Sequence, residues 1–131
     1  MKIKFSTSWK KSKQPKKQRL YRYNAPLHIK RRFIRAHLSK ELRLKYKRRS
    51  LGLKKGDKVK IVRGQFKKKE GNIERIDTKK QKLYINGIEI VKKDGTKVIY
   101  PINQSNVTIT ELNLEDRMRQ KILERKIQQK N

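Results

Sequence analysis

The excess of positive charge is the property of this sequence that most limits how the chain can fold. The chain has 40 Lys and Arg residues against 11 Asp and Glu residues, a formal net charge of +29 over 131 residues. Like charges at this density repel one another, so we expect the chain to need a polyanionic partner. Because only 33% of the residues are hydrophobic, we also expect one small core, with part of the chain ordered by that partner.

The charge is distributed unevenly. Residues 1–50 contain 19 basic residues and 1 acidic residue, residues 51–110 contain 15 and 6, and residues 111–131 contain 6 and 4. This asymmetry indicates a basic arm, a middle part that can carry its own core and a tail of mixed charge. We therefore predict a basic N-terminal extension with two short helices (1–50), a β-rich domain (51–111) and a C-terminal helix (112–131).

Several kinds of chemical site are missing from the sequence. It has no cysteine, and His28 and His37 are not accompanied by a paired carboxylate. No Walker loop or dinucleotide fingerprint occurs, so we expect no enzymatic activity, metal, cofactor or small-molecule substrate. No apolar run reaches the length of a membrane span, and no membrane insertion is expected. Four acidic residues around the first predicted hairpin are interpreted as charge balance for nearby lysines: Asp57, Glu70, Glu74 and Asp77.

Residues 1–24 interleave aromatic residues with cations and show little apolar periodicity, which predicts an extended arm. Cations neutralise phosphates and aromatic rings stack on unpaired bases, so this pattern favours irregular RNA over a membrane. A solvated, disordered tail is the alternative for the free protein. The candidate RNA-binding residues of the arm are Trp9, Lys10, Lys11, Lys16, Lys17, Arg19, Tyr21, Arg22 and Tyr23.

Two short helices are predicted next. Pro26 suits the first turn of a helix whose apolar face includes Phe33 and Ala36. Ser39 is a candidate cap for the second helix, with Glu41 in its first turn. Their basic faces are candidate phosphate contacts, although a solvated face is the simpler alternative. The residues concerned are Lys30, Arg31, Arg32, Arg35, Lys47, Arg48, Arg49 and Ser50.

From Lys55 onwards the hydrophobic period changes to two, with Val59 and Ile61 alternating with lysines. Further strands are predicted at residues 72–76, 82–86, 88–91, 96–100 and 107–110. Turn signals lie at residues 63–65, 77–79, 86–87 and 93–95. Short strands joined by tight turns predict a small antiparallel barrel, and hence a mainly β fold.

The C-terminal stretch has Asn113 as a candidate helix cap, and Leu114, Met118 and Ile122 recur at helical spacing. This spacing predicts an amphipathic helix that packs on the barrel or on a neighbouring protein.

Residues 56–73 resemble the KOW motif of SH3-like barrels. Gly64 would let the first strand turn sharply, Phe66 would fold back onto the barrel, and Gly71 would permit a backbone that a β-carbon obstructs. The candidate RNA contacts in this loop are Arg63, Gly64, Lys67, Lys68 and Lys69, and the common motif has glycine where Lys68 stands. The structural positions of the motif are Gly56, Val59, Ile61, Gly64, Phe66, Gly71 and Ile73.

A longer set of segments occurs in a characteristic order on both sides of this motif. They are Lys17–Arg19, Tyr23–His28, Leu38–Leu42, Arg48–Leu51, Lys93–Thr96, Tyr100–Pro101 and Ser105–Val107. Together they resemble the KOW-containing family of large-subunit ribosomal proteins called universal protein twenty-four, in its archaeal and eukaryotic form.

The resemblance implies a KOW SH3-like barrel at residues 51–111 with a basic extension. It also implies binding to the 5′ region of large-subunit rRNA near the nascent-chain tunnel exit, beside neighbouring ribosomal proteins. A role in early subunit assembly and a cytoplasmic location in the large subunit follow from the same resemblance.

Two other hypotheses remain open from the sequence. A transcription-associated KOW module that binds RNA polymerase would be expected to have a more acidic barrel face and an adjoining domain. A general basic DNA-binding protein would prefer duplex DNA, against which the aromatic residues of the arm argue.

Overall fold

The computed structural model describes residues 5–128, apart from the side chains of Trp9 and Lys126. In chain order the described elements are α1 (Pro15–Asn24), α2 (Leu27–Phe33), β1 (Arg35–Leu38), α3 (Lys40–Tyr46), β2 (Ser50–Gly52), β3 (Lys58–Ile61), β4 (Glu70–Asp77), β5 (Lys82–Val91), β6 (Lys97–Asn103), β7 (Val107–Glu111) and α4 (Arg117–Gln128), with 3-10 turns at Thr7–Lys11 and Gln104–Asn106. Helix and strand contents are about equal, so the fold is mixed rather than mainly β.

All seven strands form one sheet in the order β2-β1-β7-β3-β4-β5-β6. Neighbouring strands are antiparallel except β1 and β7, which are parallel and pair His37 with Thr108 and Leu38 with Ile109. Within the described residues the strand order is linear, with β2 and β6 at its two ends. A closed, wholly antiparallel barrel is therefore not confirmed, because β1 adds a parallel neighbour from the N-terminal extension.

The KOW segment folds as its sequence pattern predicts. Val59 and Ile61 are fully buried in β3, whereas Lys60 is exposed. Gly71 pairs with Val59 across the β3–β4 ladder. A β-carbon on Gly71 would lie 2.4 Å from the backbone oxygen of Asn86 on β5, so the predicted requirement for glycine is confirmed.

The prediction of a turn at residues 86–87 is wrong, because β5 continues through both residues. Ile85 and Ile88 are both buried although three residues apart, and Asn86 and Gly87 between them are exposed. Gly87 has a φ of +82°, and the β5–β6 register shifts between Tyr84 and Glu89. A bulge thus keeps two isoleucines in the core, and the actual hairpin turn is the one predicted at residues 93–95.

The N-terminal extension is more helical than predicted. Pro15 occupies the first turn of α1, where its missing N–H is tolerated. Tyr21 is buried, with its ring centroid 5.2 Å from that of Phe5 and 6.0 Å from that of Phe33. The expectation of an extended arm is wrong for residues 15–24, because this aromatic cluster, rather than an apolar stripe, holds the helix.

The two helices predicted after the arm are present, with one change. α2 ends at Phe33, and Ala36 lies in β1, where it is buried together with Leu38. The predicted cap of α3 is confirmed, since the Leu42 backbone N–H donates to Ser39 Oγ at 3.4 Å. With α1 included, three helices rather than two precede β2, and β1 brings the extension into the sheet.

The C-terminal helix begins later than predicted. Asp116 rather than Asn113 caps α4, because Asp116 Oδ1 accepts the Met118 backbone N–H at 2.9 Å. Arg119 and Leu123 are the buried side chains of the helix, whereas Met118 is 60% exposed. The predicted stripe through Met118 is therefore displaced around the helix.

Candidate nucleic-acid interface

The loop between β3 and β4 presents four cations on a fixed backbone. The Lys68 N–H donates to the Ile61 carbonyl at 2.8 Å, and the Ile61 N–H donates to the Lys69 carbonyl at 2.9 Å. The Lys67 N–H donates to the Gly64 carbonyl at 3.1 Å. A held backbone with mobile side chains can match several phosphate positions. The four exposed side chains are Arg63, Lys67, Lys68 and Lys69.

Lys68 carries backbone strain. Its φ is +73°, in the left-handed region that glycine adopts readily and that other residues avoid. The KOW pattern has glycine at this position, which the geometry explains. This chain therefore accepts a less favourable backbone and gains one more cation in the loop.

Phe66 joins the loop to the sheet as predicted. Its side chain is half-buried, and its ring centroid lies 5.3 Å from that of Tyr100 on β6. Lys69 Nζ lies 5.3 Å from the centroid of the Phe66 ring. The ring thus anchors the loop and supports one of its cations.

The aromatic residues of the arm divide into buried and exposed. Tyr23 is 80% exposed and can stack on a base, whereas Tyr21 is enclosed by the aromatic cluster and is not accessible for stacking in this arrangement. The side chain of Trp9, the third candidate, lies outside the described residues. Among the candidate cations of the arm, Lys17 is half-buried. The exposed ones are Lys10, Lys11, Lys16, Arg19 and Arg22.

Three arginines from separate parts of the extension line one cavity of about 240 Å³ between α2, β2 and α4. They are Arg31, Arg35 and Arg48. Arg32 and Arg49, which neighbour two of them in sequence, do not line it. Lys30 and Ser50 are half-buried, and Lys47 is an exposed residue in the left-handed conformation after α3.

A second cavity, of about 360 Å³, lies between β1, β7 and the KOW loop. Its lining includes Arg63 of the loop, His37, Gln104 and also Arg35, which borders the first cavity. Cations of the loop and of the extension therefore lie along one surface.

The sequence did not indicate a buried ion pair between Asp57 and Arg119. Their side chains are 0% and 4% exposed, with Arg119 Nη1 to Asp57 Oδ1 at 2.5 Å and Arg119 Nη2 to Asp57 Oδ2 at 2.6 Å. The Lys54 and Asn113 backbone N–H groups also donate to this carboxylate, each at 2.9 Å. Interpreting Asp57 as charge balance for lysines is therefore wrong, because it fixes α4 to the start of β3.

Other acidic residues do pair with lysines. Glu70 Oε1 lies 3.3 Å from Lys60 Nζ, as the interpretation of that residue predicts. Asp116 pairs with Lys54, whose hydrogen bond lowers the pKa of the Asp116 carboxyl below its usual value. Glu111, 2.9 Å from Lys58, raises the pKa of that lysine by a hydrogen bond to it. These pairs lie beside β3 and leave the loop cations unchanged.

Searches for other kinds of site in the described part of the chain gave no candidate. No group of three or more His, Cys, Asp or Glu residues is placed to hold a metal ion there. Within the same residues, no helix is long and apolar enough to cross a membrane.

Comparison with known proteins identifies the family. Residues 12–126 match the ribosomal protein family that comprises L26 of eukaryotes and its archaeal counterpart L24. The chain belongs to this family. The predicted family is therefore confirmed, and so are a structural, non-enzymatic role and a cytoplasmic location in the ribosome.

Archaeal relatives match most of the chain. The large ribosomal subunit protein uL24 of Methanoculleus marisnigri is 49% identical over 112 residues, which are 86% of this chain and 93% of the relative. The protein of the same name from Methanothrix thermoacetophila is 49% identical over 114 residues, 87% of this chain and 98% of the relative. That from Methanospirillum hungatei is 47% identical over 112 residues, covering 86% and 93%.

Proposed function

We propose that the protein is a structural constituent of the large ribosomal subunit that binds the 5′ region of large-subunit rRNA near the nascent-chain tunnel exit. In this proposal it supports early assembly by neutralising phosphates that would otherwise repel one another as RNA helices approach. Residues 1–50 provide most of the charge, residues 51–111 set the position on the RNA, and residues 112–131 provide the helix α4. The large-subunit relatives and the family membership support this assignment.

The observation that carries the proposal is the continuity of positive charge between the KOW loop and the extension. Arg63 in the loop and Arg35 in β1 line the same cavity, and Arg35 also lines the cavity that contains Arg31 and Arg48. Because β1 pairs with β7 in the sheet, the extension has a fixed position relative to the loop. Such a surface can follow the irregular backbone of a folded RNA.

The outer part of the β5–β6 hairpin has a different character. Residues 88–100 contain three lysines and two acidic residues, a net charge of +1. Val91 is 61% exposed, Val98 42%, Ile90 39% and Tyr100 37%. An exposed apolar patch with little charge suits a protein surface better than phosphates, so we place the contact with a neighbouring ribosomal protein here.

The polymerase-binding alternative needs an acidic face on the sheet. The exposed acidic residues beside β3 are Glu70 and Glu111, and each pairs with a lysine of that strand. Their charge is therefore compensated within the protein.

Footprinting of the full-length protein on large-subunit rRNA tests the proposal. We expect protection confined to the 5′ region and still present at physiological salt. A variant with Arg63, Lys67 and Lys69 changed to Gln should reduce the slope of log affinity against log salt by about 2 to 3, at roughly 0.7 to 0.9 for each lost phosphate contact. Changing Lys92 and Lys93 on the hairpin to Gln serves as the control and should leave the slope nearly unchanged.

Protection no stronger than on random RNA at the same salt concentration would defeat the specific form of the proposal. Co-sedimentation provides a second test, since the protein should fractionate with large subunits and their early precursors. Fractionation with RNA polymerase instead would favour the transcriptional alternative.

A further inference from the structure

The cavity between α2, β2 and α4 is lined by cations that have few partners of opposite charge. Arg31, Arg35 and Arg48 line it together with Lys54 and Asp116. Lys54 pairs with Asp116, so the one acidic side chain of the lining is already engaged. None of the three arginines has an acidic partner within the described residues.

Arg48 shows that this arrangement is unfavourable in the protein alone. Its side chain is half-buried, and its Nε–H has no hydrogen-bond partner in the described part of the chain. A donor that loses its water without gaining an acceptor is destabilising. An anion beside the guanidinium would offset that loss and the mutual repulsion of the three arginines.

The helix α4 provides an apolar wall for the cavity through Met118 and Ile122. Its position is set by the buried pair of Asp57 and Arg119, and Arg119 Nη2 also donates to the Gly52 carbonyl of β2 at 3.0 Å. An apolar wall beside the arginines lowers the local dielectric constant and strengthens their attraction for an anion.

We propose that this cavity is a binding site for one phosphate group of the RNA backbone, held by Arg31, Arg35 and Arg48 against the wall of α4. The site rests on the proposed rRNA binding and specifies where one phosphate enters the protein. Guanidinium groups can donate two parallel hydrogen bonds to a phosphate, which suits three converging arginines. A volume of about 240 Å³ is below the roughly 300 Å³ at which pockets for larger ligands begin, so the cavity suits a phosphodiester group better than a complete nucleotide.

A titration of the full-length protein with inorganic phosphate, at constant ionic strength, tests the cavity itself. The methyl NMR signals of Met118 and Ile122 report on its wall. We expect saturable shifts of both signals in the wild type and in Arg49→Gln, and loss of the shifts in Arg48→Gln. Shifts that are absent in the wild type, or unchanged in Arg48→Gln, would overturn the proposal.

A second variant protects this test against a folding defect in Arg48→Gln. Because Met118 is 60% exposed, Met118→Glu should fold and place a carboxylate beside the arginines, with Met118→Gln as its neutral control. The Ile122 signal should respond to phosphate in Met118→Gln and not in Met118→Glu. An equal response in these two variants contradicts the proposal.

Binding of an rRNA 5′ fragment then distinguishes RNA phosphate from free phosphate. Arg48→Gln should lower the salt slope by about 0.7 to 0.9 more than Arg49→Gln does. If both variants have the same effect on RNA affinity, the cavity does not hold an RNA phosphate, while the proposed function stands on its own footprint. If the wild type shows no preference for rRNA, the proposed function fails, and the phosphate titration still reports on the cavity.

Discussion

The buried pair of Asp57 and Arg119 predicts a large loss of stability when Arg119 is replaced by Met. The replacement leaves a carboxylate with no exposed surface and no counter-charge, and it removes donors from the carbonyl groups of Gly52 and Asn113. Removing one partner of a buried pair generally costs about 3 to 5 kcal/mol. This is a large fraction of the roughly 5 to 15 kcal/mol by which domains are stable.

Urea denaturation of the full-length protein, followed by circular dichroism, measures the effect. With an m-value of about 2 kcal/mol/M, the midpoint of Arg119→Met should fall by about 1.5 to 2.5 M. The control is Arg117→Met, an exposed position on the same helix, which should change the free energy of unfolding by less than about 0.5 kcal/mol.

A double variant separates the charge effect from the loss of packing. Asp57→Asn combined with Arg119→Met contains no unpaired buried charge, so it should be more stable than Arg119→Met alone. The reasoning is refuted if Arg119→Met is no less stable than Arg117→Met, or if adding Asp57→Asn lowers the stability further.

Three further predictions concern the loop, the arm and the cap of α4. Lys68→Gly should raise the free energy of unfolding by about 0.5 to 1 kcal/mol, because it removes a left-handed residue with a side chain, and should lower the salt slope of RNA binding; a loss of stability in urea would contradict this. Tyr23→Ala should weaken RNA binding by about 1 to 3 kcal/mol with little change in stability, whereas Tyr21→Ala should lower stability by about 3 to 5 kcal/mol, and equal effects in binding and denaturation assays would show that the two rings are not distinct. The lowered pKa of Asp116 means that its contribution to stability is present above about pH 3.9, its unfolded value, and is lost as the pH falls through the lower folded pKa; denaturation between pH 6 and 3 should show a smaller acid loss in Asp116→Asn.

Elements that depend on local sequence could be predicted. β3, β4, β6 and β7 follow a period-two pattern bounded by turn residues, and Ser39 caps α3 through a bond three residues away. Gly71 was predicted because the KOW pattern records a close backbone approach, which the distance to Asn86 confirms. Each of these signals lies within a few residues of the structure that it determines.

Features that depend on distant contacts could not be predicted. α1 lacks an apolar stripe because Tyr21 contacts rings on both sides of it in sequence, Phe5 and Phe33. β1 has only two buried residues, too few for a strand pattern, and its partner β7 lies about seventy residues further along the chain. The pair of Asp57 and Arg119 likewise joins positions 62 residues apart.

The candidate site shows the same division. The sequence identified which parts of the chain are basic, because charge can be counted. It did not separate Arg48 from Arg49 or Arg31 from Arg32, although one member of each pair lines the cavity and the other does not. That distinction depends on how α2, β2 and α4 pack together.

The ion pairs of the described residues explain how so basic a chain keeps a folded core. All four salt bridges found there have one partner within residues 54–60, and the other partners come from β4, β7 and the region of α4. Residues 1–50 contain a single acidic residue, Glu41. Internal pairing is therefore concentrated around the start of the KOW segment, where the sheet and α4 meet. The cations of the extension gain little from acidic side chains of their own chain, so their repulsion is relieved only by salt or by phosphate, and this repulsion makes ordering of the extension dependent on the RNA.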